Sequence, residues 1–219
     1  MQEVTWKKND TIVISDVHIG AKGNNVKKLR QFLDLVIHHP PHRLIINGDL
    51  FELWSTSYKE IDADDYRVIR RLVELPEHGI KIVYIPGNHD RAFRAFKKIK
   101  IGKIKIQSEY IVKRYRKKFL VLHGDEFDAF SRNYIILSLV IDKLYVFLIK
   151  INSFLKKLAG FSASLYVKKN TPSYFKTVAK IKSAALKYAN SLKLNGIIIG
   201  HTHWPDFFTD KNNVVYANS

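Results

Sequence analysis

The sequence has 219 residues, no cysteine and a formal net charge of +17 at neutral pH. A chain of this length most simply forms one domain, and the lack of cysteine excludes a disulfide framework and a thiolate metal site. Residues 1–10 lack the apolar stretch of a signal peptide, and no window reaches the roughly 18 uninterrupted apolar residues of a membrane-spanning helix. We therefore expect a cytoplasmic protein with a single domain over residues 1–219.

The positive charge is concentrated in one stretch of the chain. Residues 91–182 hold 22 of the 37 Lys and Arg residues and 5 of the 20 Asp and Glu residues, and the rest of the chain is balanced. A local positive field favours an anionic partner, such as nucleic acid, an anionic bilayer or a phosphorylated substrate. Solvated lysines on helix faces would explain any single residue of this stretch but account poorly for the asymmetry.

The apolar pattern predicts alternating strands and helices. In the first half the predicted strands are Thr11–Ile14, Arg43–Ile46 and Ile80–Ile85, and the predicted helices are Val26–His38 and Asp64–Leu75. In the second half they are strands at Lys103–Ile106, Tyr110–Tyr115 and Phe119–Leu122, helices at Asn133–Leu158 and Thr171–Leu192, and strands at Gly196–Ile199 and Val214–Tyr216. This alternation predicts a layered α/β fold.

Five short motifs follow the apolar runs at five predicted strand ends. They are Asp16-Val17-His18, Gly48-Asp49, Gly87-Asn88-His89-Asp90, His123-Gly124-Asp125 and Gly200-His201-Thr202-His203. Because ligands of α/β sheets bind outside the carboxyl ends of the strands, we expect the five motifs to converge on one site. Five of the nine histidines fall in these motifs, whereas His38, His39, His42 and His78 lie at a helix end and in loops without a predicted role.

The motifs offer the oxygen and nitrogen donors that hard and borderline divalent metals prefer. The candidate ligands are Asp16, His18, Asp49, Asn88, His123, His201 and His203. Asp16 and His18 are two residues apart in an extended segment, so both side chains can turn to one side. Asp49 follows a glycine that permits close approach, and its carboxylate can bridge two cations. Without a thiolate, this set favours manganese, iron or zinc, and two such ions support in-line displacement at phosphorus.

Each motif taken alone has an ordinary structural explanation. An Asp-x-His pair is commonly a cap or a surface pair, and Asn-His-Asp after Pro86-Gly87 is compatible with turn chemistry. The joint occurrence of all five motifs at strand ends is what indicates a metal site.

In this order the five motifs resemble the signature of the calcineurin-like metallophosphoesterases along nearly the whole chain. The stretches Ser15–Gly20, Gly48–Trp54 and His123–Asp128 are similar to the UDP-2,3-diacylglucosamine diphosphatase branch, whose members produce lipid X and UMP in lipid A synthesis. The resemblance implies a layered β-sandwich flanked by helices, with a helical cap insertion at roughly residues 130–192. The diphosphatases of this pathway carry Arg where this chain has His89, which is the commoner residue in the wider superfamily.

The resemblance also implies a role for each motif residue and two bound divalent ions, Mn²⁺ first. Asp16, His18 and His203 would hold one ion, Asn88, His123 and His201 would hold the other, and Asp49 would bridge them. His89 would contact a phosphoryl oxygen, stabilise developing charge and protonate the leaving group. Asp90 would orient His89.

The segment between the last two motifs bears on the substrate. Residues 134–149 are nearly all apolar, and lysines flank them at Lys150, Lys156, Lys157, Lys168 and Lys169. A buried helix packed on the sheet is one interpretation. A cap with an apolar interior for acyl chains and a basic rim for a membrane surface is the other. On the following predicted helix, Lys176 is predicted to reach a substrate phosphate.

The motifs thus predict a metal-dependent hydrolase of a phosphodiester or diphosphate bond, and the resemblance implies UDP-2,3-diacylglucosamine as the first candidate substrate. We expect a peripheral location on the cytoplasmic face of the inner membrane. One alternative is a phosphodiesterase or phosphatase acting on another anionic lipid or nucleotide. A nuclease is suggested by the charge and disfavoured by the apolar segment. A non-catalytic binding module is the last alternative, although such modules usually lose ligands and here none is missing.

Overall fold

The computed structural model describes residues 6–21, 25–53, 61–97, 99–101, 103–128 and 172–219. Its regular elements up to residue 106 are β1 (Thr11–Ile14), α1 (Val26–His38), β2 (Arg43–Asn47), α2 (Ala63–Glu74), β3 (Lys81–Ile85), β4 (Lys100–Ile101) and β5 (Ile104–Ile106). The later elements are β6 (Tyr110–Arg114), β7 (Lys117–Val121), α3 (Pro172–Ser191), β8 (Gly196–Ile199), β9 (Asp206–Thr209) and β10 (Val215–Asn218). Short 3-10 helices cover Leu75–His78, Arg91–Phe96 and Asp125–Phe127.

The strands of the described residues form two five-stranded sheets. The first has the order β1-β2-β3-β5-β4 and is parallel except for β4, which runs antiparallel to β5. The second has the order β6-β7-β8-β10-β9, with a parallel centre and antiparallel edge strands. In each sheet the carboxyl ends of the parallel central strands therefore lie on one side, where polar side chains can gather.

Side chains of alternate residues build the core on both faces of each sheet. In β2, Leu44 and Ile46 pack in the cluster that includes α1 and α2, whereas Ile45 packs with Val121 and Ile198 of the second sheet. On the far side, α3 packs on the second sheet. The layers are therefore helix, sheet, sheet and helix, which confirms the layered β-sandwich flanked by helices.

Local sequence explains where the helices begin and end. The side chain of Asn25 caps the start of α1, and Asp62 and Asp65 form a capping box at the start of α2. The predicted second helix, Asp64–Leu75, is displaced by one residue at each end, because the helix starts at Ala63 and the chain continues from Leu75 as a 3-10 turn through Pro76. That turn closes at Gly79, which has a positive φ of 79°.

Two strands escaped prediction. β4 has only two residues, and β9 carries Phe207 with its side chain 75% exposed, so neither shows a buried alternating pattern. The predicted helix Asn133–Leu158, and residues 130–171 of the predicted insertion, lie outside the described residues. The predicted helix Thr171–Leu192 is present as α3. Among the described helices none is long and apolar enough to cross a membrane.

Candidate metal centre

The five motifs come together at the carboxyl ends of the central strands of the two sheets. Asp16, Asp49 and Asn88 follow β1, β2 and β3 of the first sheet. His123 and His201 follow β7 and β8 of the second sheet. Both sheets therefore contribute donors, and the packing between the sheets positions one half of the centre against the other.

One group of candidate metal ligands is formed by Asp16, His18 and His203, whose ligand atoms all lie within 4.8 Å of one another. The Nε2 atom of His203 lies 3.6 Å from Oδ1 of Asp16. The rings of His18 and His203 stack with their centroids 5.1 Å apart. The backbone N–H of His201 donates to both carboxylate oxygens of Asp16, at 3.0 and 3.1 Å, which fixes the carboxylate.

A second group is formed by Asp49, His123 and His201, again with ligand atoms within 4.8 Å. Nε2 of His123 lies 3.2 Å from Oδ2 of Asp49 and 3.2 Å from Oδ1 of Asn88. Nδ1–H of His123 donates to the carbonyl of Asn47 at 3.0 Å, so Nε2 is the nitrogen that faces the centre. Asn88 thereby joins this group through its amide oxygen.

Asp49 lies between the two groups. Its Oδ2 atom, which is near His123, is also 3.9 Å from Nε2 of His18 in the first group. Its other oxygen accepts the backbone N–H of His89 at 2.9 Å. Burial raises the pKa of the Asp49 carboxyl, but the hydrogen bond and charge of His123 outweigh it and hold that pKa well below its usual range. The carboxylate is therefore ionised at neutral pH, which is the state that binds a cation.

The pKa of His123 reflects the same attraction between its imidazole and the Asp49 carboxylate. Burial lowers the pKa of His123, but the hydrogen bond and charge of Asp49 prevail and raise the pKa to about 10. His123 is fully buried, and Asp49 is 1% exposed. A buried carboxylate that draws a proton onto a histidine so strongly is an attractive position for a metal cation.

The backbone at the centre is strained. Of the nine non-glycine residues with positive φ in the described part of the chain, five are candidate ligands: Asp16, His18, Asp49, His201 and His203. Their φ values lie between 51° and 66°. A left-handed conformation costs a non-glycine residue about 1–2 kcal/mol, and such strain collects at functional sites. The fold accepts this cost at the positions where the donors must turn inward.

Two glycines let the backbone approach the donors closely. A Cβ added at Gly48 would lie 2.0 Å from Nδ1 of His123, and Gly48 also has a φ of 86°. A Cβ added at Gly87 would lie 2.1 Å from Oδ1 of Asp49 and 2.7 Å from Nε2 of His123. The donors therefore sit in a cradle that excludes even a methyl group at these positions. This geometry and the hard donor set fit a divalent cation.

Glu52 was assigned no role by the sequence, yet its carboxylate connects two histidines of the centre. Its Oε2 atom lies 2.8 Å from Nδ1 of His89 and 3.2 Å from Nδ1 of His18. Burial raises the pKa of Glu52, but the hydrogen bonds from His18 and His89 hold it well below its usual range. Both histidines donate from Nδ1, so Nε2 is in each the nitrogen that would serve the centre. The sequence signal that could have identified Glu52 is its position three residues after Asp49 on the same loop.

The prediction that Asp90 orients His89 is corrected by these contacts. The Asp90 carboxylate accepts the backbone N–H of Gly87 at 2.6 Å, that of Leu50 at 2.7 Å, and the hydroxyl of Tyr84. Asp90 therefore joins the loop after β3 to the loop after β2 through the backbone. Glu52 is the carboxylate that contacts the imidazole of His89.

Further contacts across the centre were not predicted. Nη2 of Arg94 donates to Oδ1 of Asp125 at 2.6 Å, and its Nε donates to the carbonyl of Pro86 at 3.1 Å. This pair ties the loop after β3 to the loop after β7. Asp128 accepts a hydrogen bond from Nε2 of His201 at 3.1 Å. Asp125 and Asp128 both lie in the stretch that carried the resemblance, so position in that motif was the available signal.

Lys176 lies on α3 with an exposed side chain. Near it on the helix, the hydroxyl of Tyr174 donates to the carbonyl of Thr202 at 2.7 Å, so the start of α3 packs against the loop that carries His201 and His203. The role of Lys176 in contacting a substrate phosphate stays a prediction.

Replacing Gly87 with alanine is expected to destabilise the protein by about 2 kcal/mol or more, because the added methyl group has no space beside Asp49 and His123. For a chain of this size that lowers Tm by about 4–8 °C, measured by thermal unfolding with and without metal. Gly79→Ala is the control: an added Cβ there meets no atom within 4 Å, so only about 1 kcal/mol of backbone strain is expected. Equal effects of the two changes would contradict the crowding.

Replacing Glu52 with glutamine is expected to weaken metal binding and lower kcat/KM by about 10–100-fold, because the amide lacks the negative charge that strengthens the hydrogen bonds from His18 and His89 and has one acceptor oxygen instead of two. Metal titration and kinetics measure the effect, and the Tm of the metal-free protein reports any general damage. Glu74→Gln makes the same chemical change on the surface of α2, where Glu74 pairs with Arg70 and Arg71. If both variants bind metal as the unchanged protein does, Glu52 does not position His18 and His89 for metal binding.

Carboxylate, imidazole and amide donors gathered at the open ends of two sheets define the site of a metal-dependent hydrolase. The chain belongs to the calcineurin-like phosphoesterase family, whose model matches residues 10–205. Family membership implies divalent metal ions, in agreement with the two groups of ligands described above and with a third group of His18, Asp49 and His89, whose possible ligand atoms also lie within 4.8 Å of one another.

Similar proteins include UDP-2,3-diacylglucosamine hydrolases. That of Yersinia enterocolitica is 26% identical over 213 residues, which cover 91% of this chain and 84% of that protein. That of Shewanella pealeana is 26% identical over 211 residues, with 90% and 83% covered. Among solved structures, Vps29 of Entamoeba histolytica matches with 14% identity and a TM-score of 0.46, covering 95% of this chain and 72% of that one.

Proposed function

We propose that the protein hydrolyses the diphosphate bond of UDP-2,3-diacylglucosamine, releasing UMP and 2,3-diacylglucosamine 1-phosphate (lipid X), with two divalent ions at the two groups of ligands. The observation that carries the two-ion proposal is the position of Asp49, whose Oδ2 atom faces both His18 and His123. One carboxylate oriented to two sets of donors is what a bridging ligand requires.

The ions would activate water for attack on phosphorus and neutralise charge on the phosphoryl oxygens. The protein's own residues position these reactants. The backbone N–H of His201 fixes the carboxylate of Asp16, and that of His89 fixes the carboxylate of Asp49. His89 is one-third exposed, and its Nδ1 donates to Glu52, so Nε2 is the nitrogen that would face the substrate. From there it would donate a hydrogen bond to a phosphoryl oxygen and a proton to the leaving phosphate oxygen.

The substrate proposal is supported by the relatives named UDP-2,3-diacylglucosamine hydrolase, which align over nine-tenths of the chain. The excess positive charge of residues 91–182 suits an anionic glycolipid and an anionic membrane surface. Lys176 would add a contact to a substrate phosphate. Mn²⁺ is the proposed ion, and the proposed location is peripheral, on the cytoplasmic face of the inner membrane.

A second candidate is hydrolysis of a phosphodiester or phosphate ester in another anionic lipid or nucleotide. The observation in its favour is His89, which stands where the diphosphatases of the lipid A pathway carry Arg. A shorter side chain that is held by Glu52 contacts less of a diphosphate than a guanidinium would.

The test is an assay of the purified protein with UDP-2,3-diacylglucosamine in detergent micelles, in Mn²⁺ and after chelation. We expect release of UMP and lipid X that depends on the metal and returns when Mn²⁺ is restored. A parallel panel contains UDP-glucosamine, glycerophosphodiesters and single-stranded DNA. Hydrolysis of a panel member with the UDP-lipid left intact would replace the proposed substrate by the second candidate, and hydrolysis of DNA would establish a nuclease.

A further inference from the structure

Three aromatic rings lie together beside the metal centre. Tyr174 and Phe175 are in the first turn of α3, and Trp204 directly follows His203. The ring centroids of Phe175 and Trp204 are 5.3 Å apart, those of Tyr174 and Phe175 are 5.6 Å apart, and those of Tyr174 and Trp204 are 6.4 Å apart. All three pairs have edge-to-face geometry. We call these three residues the aromatic shelf.

The aromatic shelf is held firmly and remains partly exposed. The hydroxyl of Tyr174 donates to the carbonyl of Thr202, and the side-chain amide of Asn218 donates to the carbonyl of Trp204 at 2.9 Å. Trp204 nevertheless remains 36% exposed and Phe175 42% exposed. Large rings contribute most when they are buried, so a fixed and exposed cluster of them marks a binding surface.

The aromatic shelf adjoins the reacting centre through the backbone. The Cα atoms of His203 and Trp204 are neighbours along the chain, about 3.8 Å apart. His203 belongs to the first group of candidate ligands and stacks on His18, which in turn meets His89 edge-to-face at 4.8 Å. A substrate whose phosphate lies at His89 and the ions would therefore place its adjoining group near Trp204.

We propose that the aromatic shelf binds the base of a nucleotide substrate by stacking, which in the proposed reaction is the uracil of the UDP group. This inference rests on the proposed function and assigns the residues that recognise the nucleotide end. Every base has a flat π face, and stacking on protein aromatics is strong enough to change binding by about tenfold or more per base.

The chemistry of the aromatic shelf favours a base over an acyl chain. The side chains of all three residues have π faces on which a flat base can stack. An alkyl chain has no π face. The carbonyl oxygens of Thr202 and Trp204 accept hydrogen bonds from Tyr174 and Asn218, which hold the loop that carries Trp204 in place. A rigid, flat, aromatic surface matches a planar heterocycle in shape and in polarisability.

The experiment measures binding of UMP and of ribose 5-phosphate to the Mn²⁺-loaded protein by calorimetry. Ribose 5-phosphate keeps the sugar and phosphate but lacks the base. We expect UMP to bind at least about tenfold more tightly, a difference of about 1.4 kcal/mol. Trp204→Leu and Phe175→Leu, which come from separate elements, are each expected to weaken UMP binding by about tenfold and to leave ribose 5-phosphate binding unchanged.

Phe207→Leu is the matched control, because Phe207 is an exposed aromatic on β9 without a ring contact among the described residues. It is expected to leave both ligands unchanged. Equal affinity of the unchanged protein for UMP and ribose 5-phosphate would overturn the inference. So would unchanged UMP binding in both shelf variants, or an equal loss of both ligands, which would indicate damage to His203.

The two proposals fail separately. UMP binding is measured without turnover, so an inactive protein that still binds UMP through Trp204 would overturn the proposed reaction and support the aromatic shelf. Unchanged UMP binding together with a raised KM for UDP-2,3-diacylglucosamine in Trp204→Leu would assign the aromatic shelf to the acyl chains and overturn the base site.

Discussion

Replacing Asp49 with alanine is expected to lower kcat/KM by about 10³-fold or more, because one carboxylate serves both groups of ligands. Its Oδ2 atom is 3.2 Å from Nε2 of His123 and 3.9 Å from Nε2 of His18, so its removal opens both positions at once. The measurement is steady-state hydrolysis in saturating Mn²⁺, alongside the metal content of the same preparation.

Asp49→Asn is the matched control for shape. It keeps the side-chain volume and one acceptor oxygen but removes the charge, so it is expected to be nearly as inactive as alanine. Without the carboxylate, the pKa of His123 loses the hydrogen bond and charge that raise it most, while burial still lowers it. Thermal unfolding of both variants reports whether the fold is kept. A folded Asp49→Ala protein with substantial activity would contradict the bridging role.

Replacing His89 with alanine is expected to lower kcat by about 10²–10⁴-fold and to leave the metal content unchanged. His89 contacts Glu52 and the Asp49 loop, and it forms a third group of possible ligand atoms with His18 and Asp49. The proposed role in proton transfer leaves the ions to the other two groups. The comparison of kcat with bound metal separates a role in proton transfer from a role in holding the ions.

His42→Ala is the control for this change, because His42 lies before β2 beside Lys81, away from the motif residues. It is expected to keep full activity. His89→Arg adds a test of the substrate: with UDP-2,3-diacylglucosamine it is expected to retain more activity than His89→Ala, since Arg can contact the diphosphate. Loss of metal from His89→Ala would instead make His89 a ligand.

The sequence predicted the central strands and the donors because both depend on local pattern. β1 and α1 have the bounds that the apolar spacing indicated, and each motif follows a buried strand. The resemblance added the sandwich of two sheets, which periodicity alone did not specify. Two parallel strands from different sheets look alike in sequence, so the partition of β7 and β8 into a second sheet depends on contacts between distant residues.

The partners of the donors were less predictable because they are set by tertiary contacts. Asp90 stands next to His89 in the chain, yet its carboxylate turns to the backbone of Gly87 and Leu50. Glu52 reaches His89 from 37 residues away. The aromatic shelf joins Trp204 to residues about thirty positions earlier, and no spacing rule connects them. Neighbours in space were therefore visible only in the structure.

The central claim is that two divalent ions bind at Asp49 between the two groups of ligands. The most direct test is the metal content of protein that has been stripped with chelator, reconstituted with Mn²⁺ and freed of excess ion, measured by elemental mass spectrometry. We predict about two Mn²⁺ per chain, clear depletion in Asp49→Ala and metal-dependent hydrolysis in the same unchanged sample. A reconstituted, folded protein without a bound divalent ion, or one that is fully active without metal, would contradict the claim.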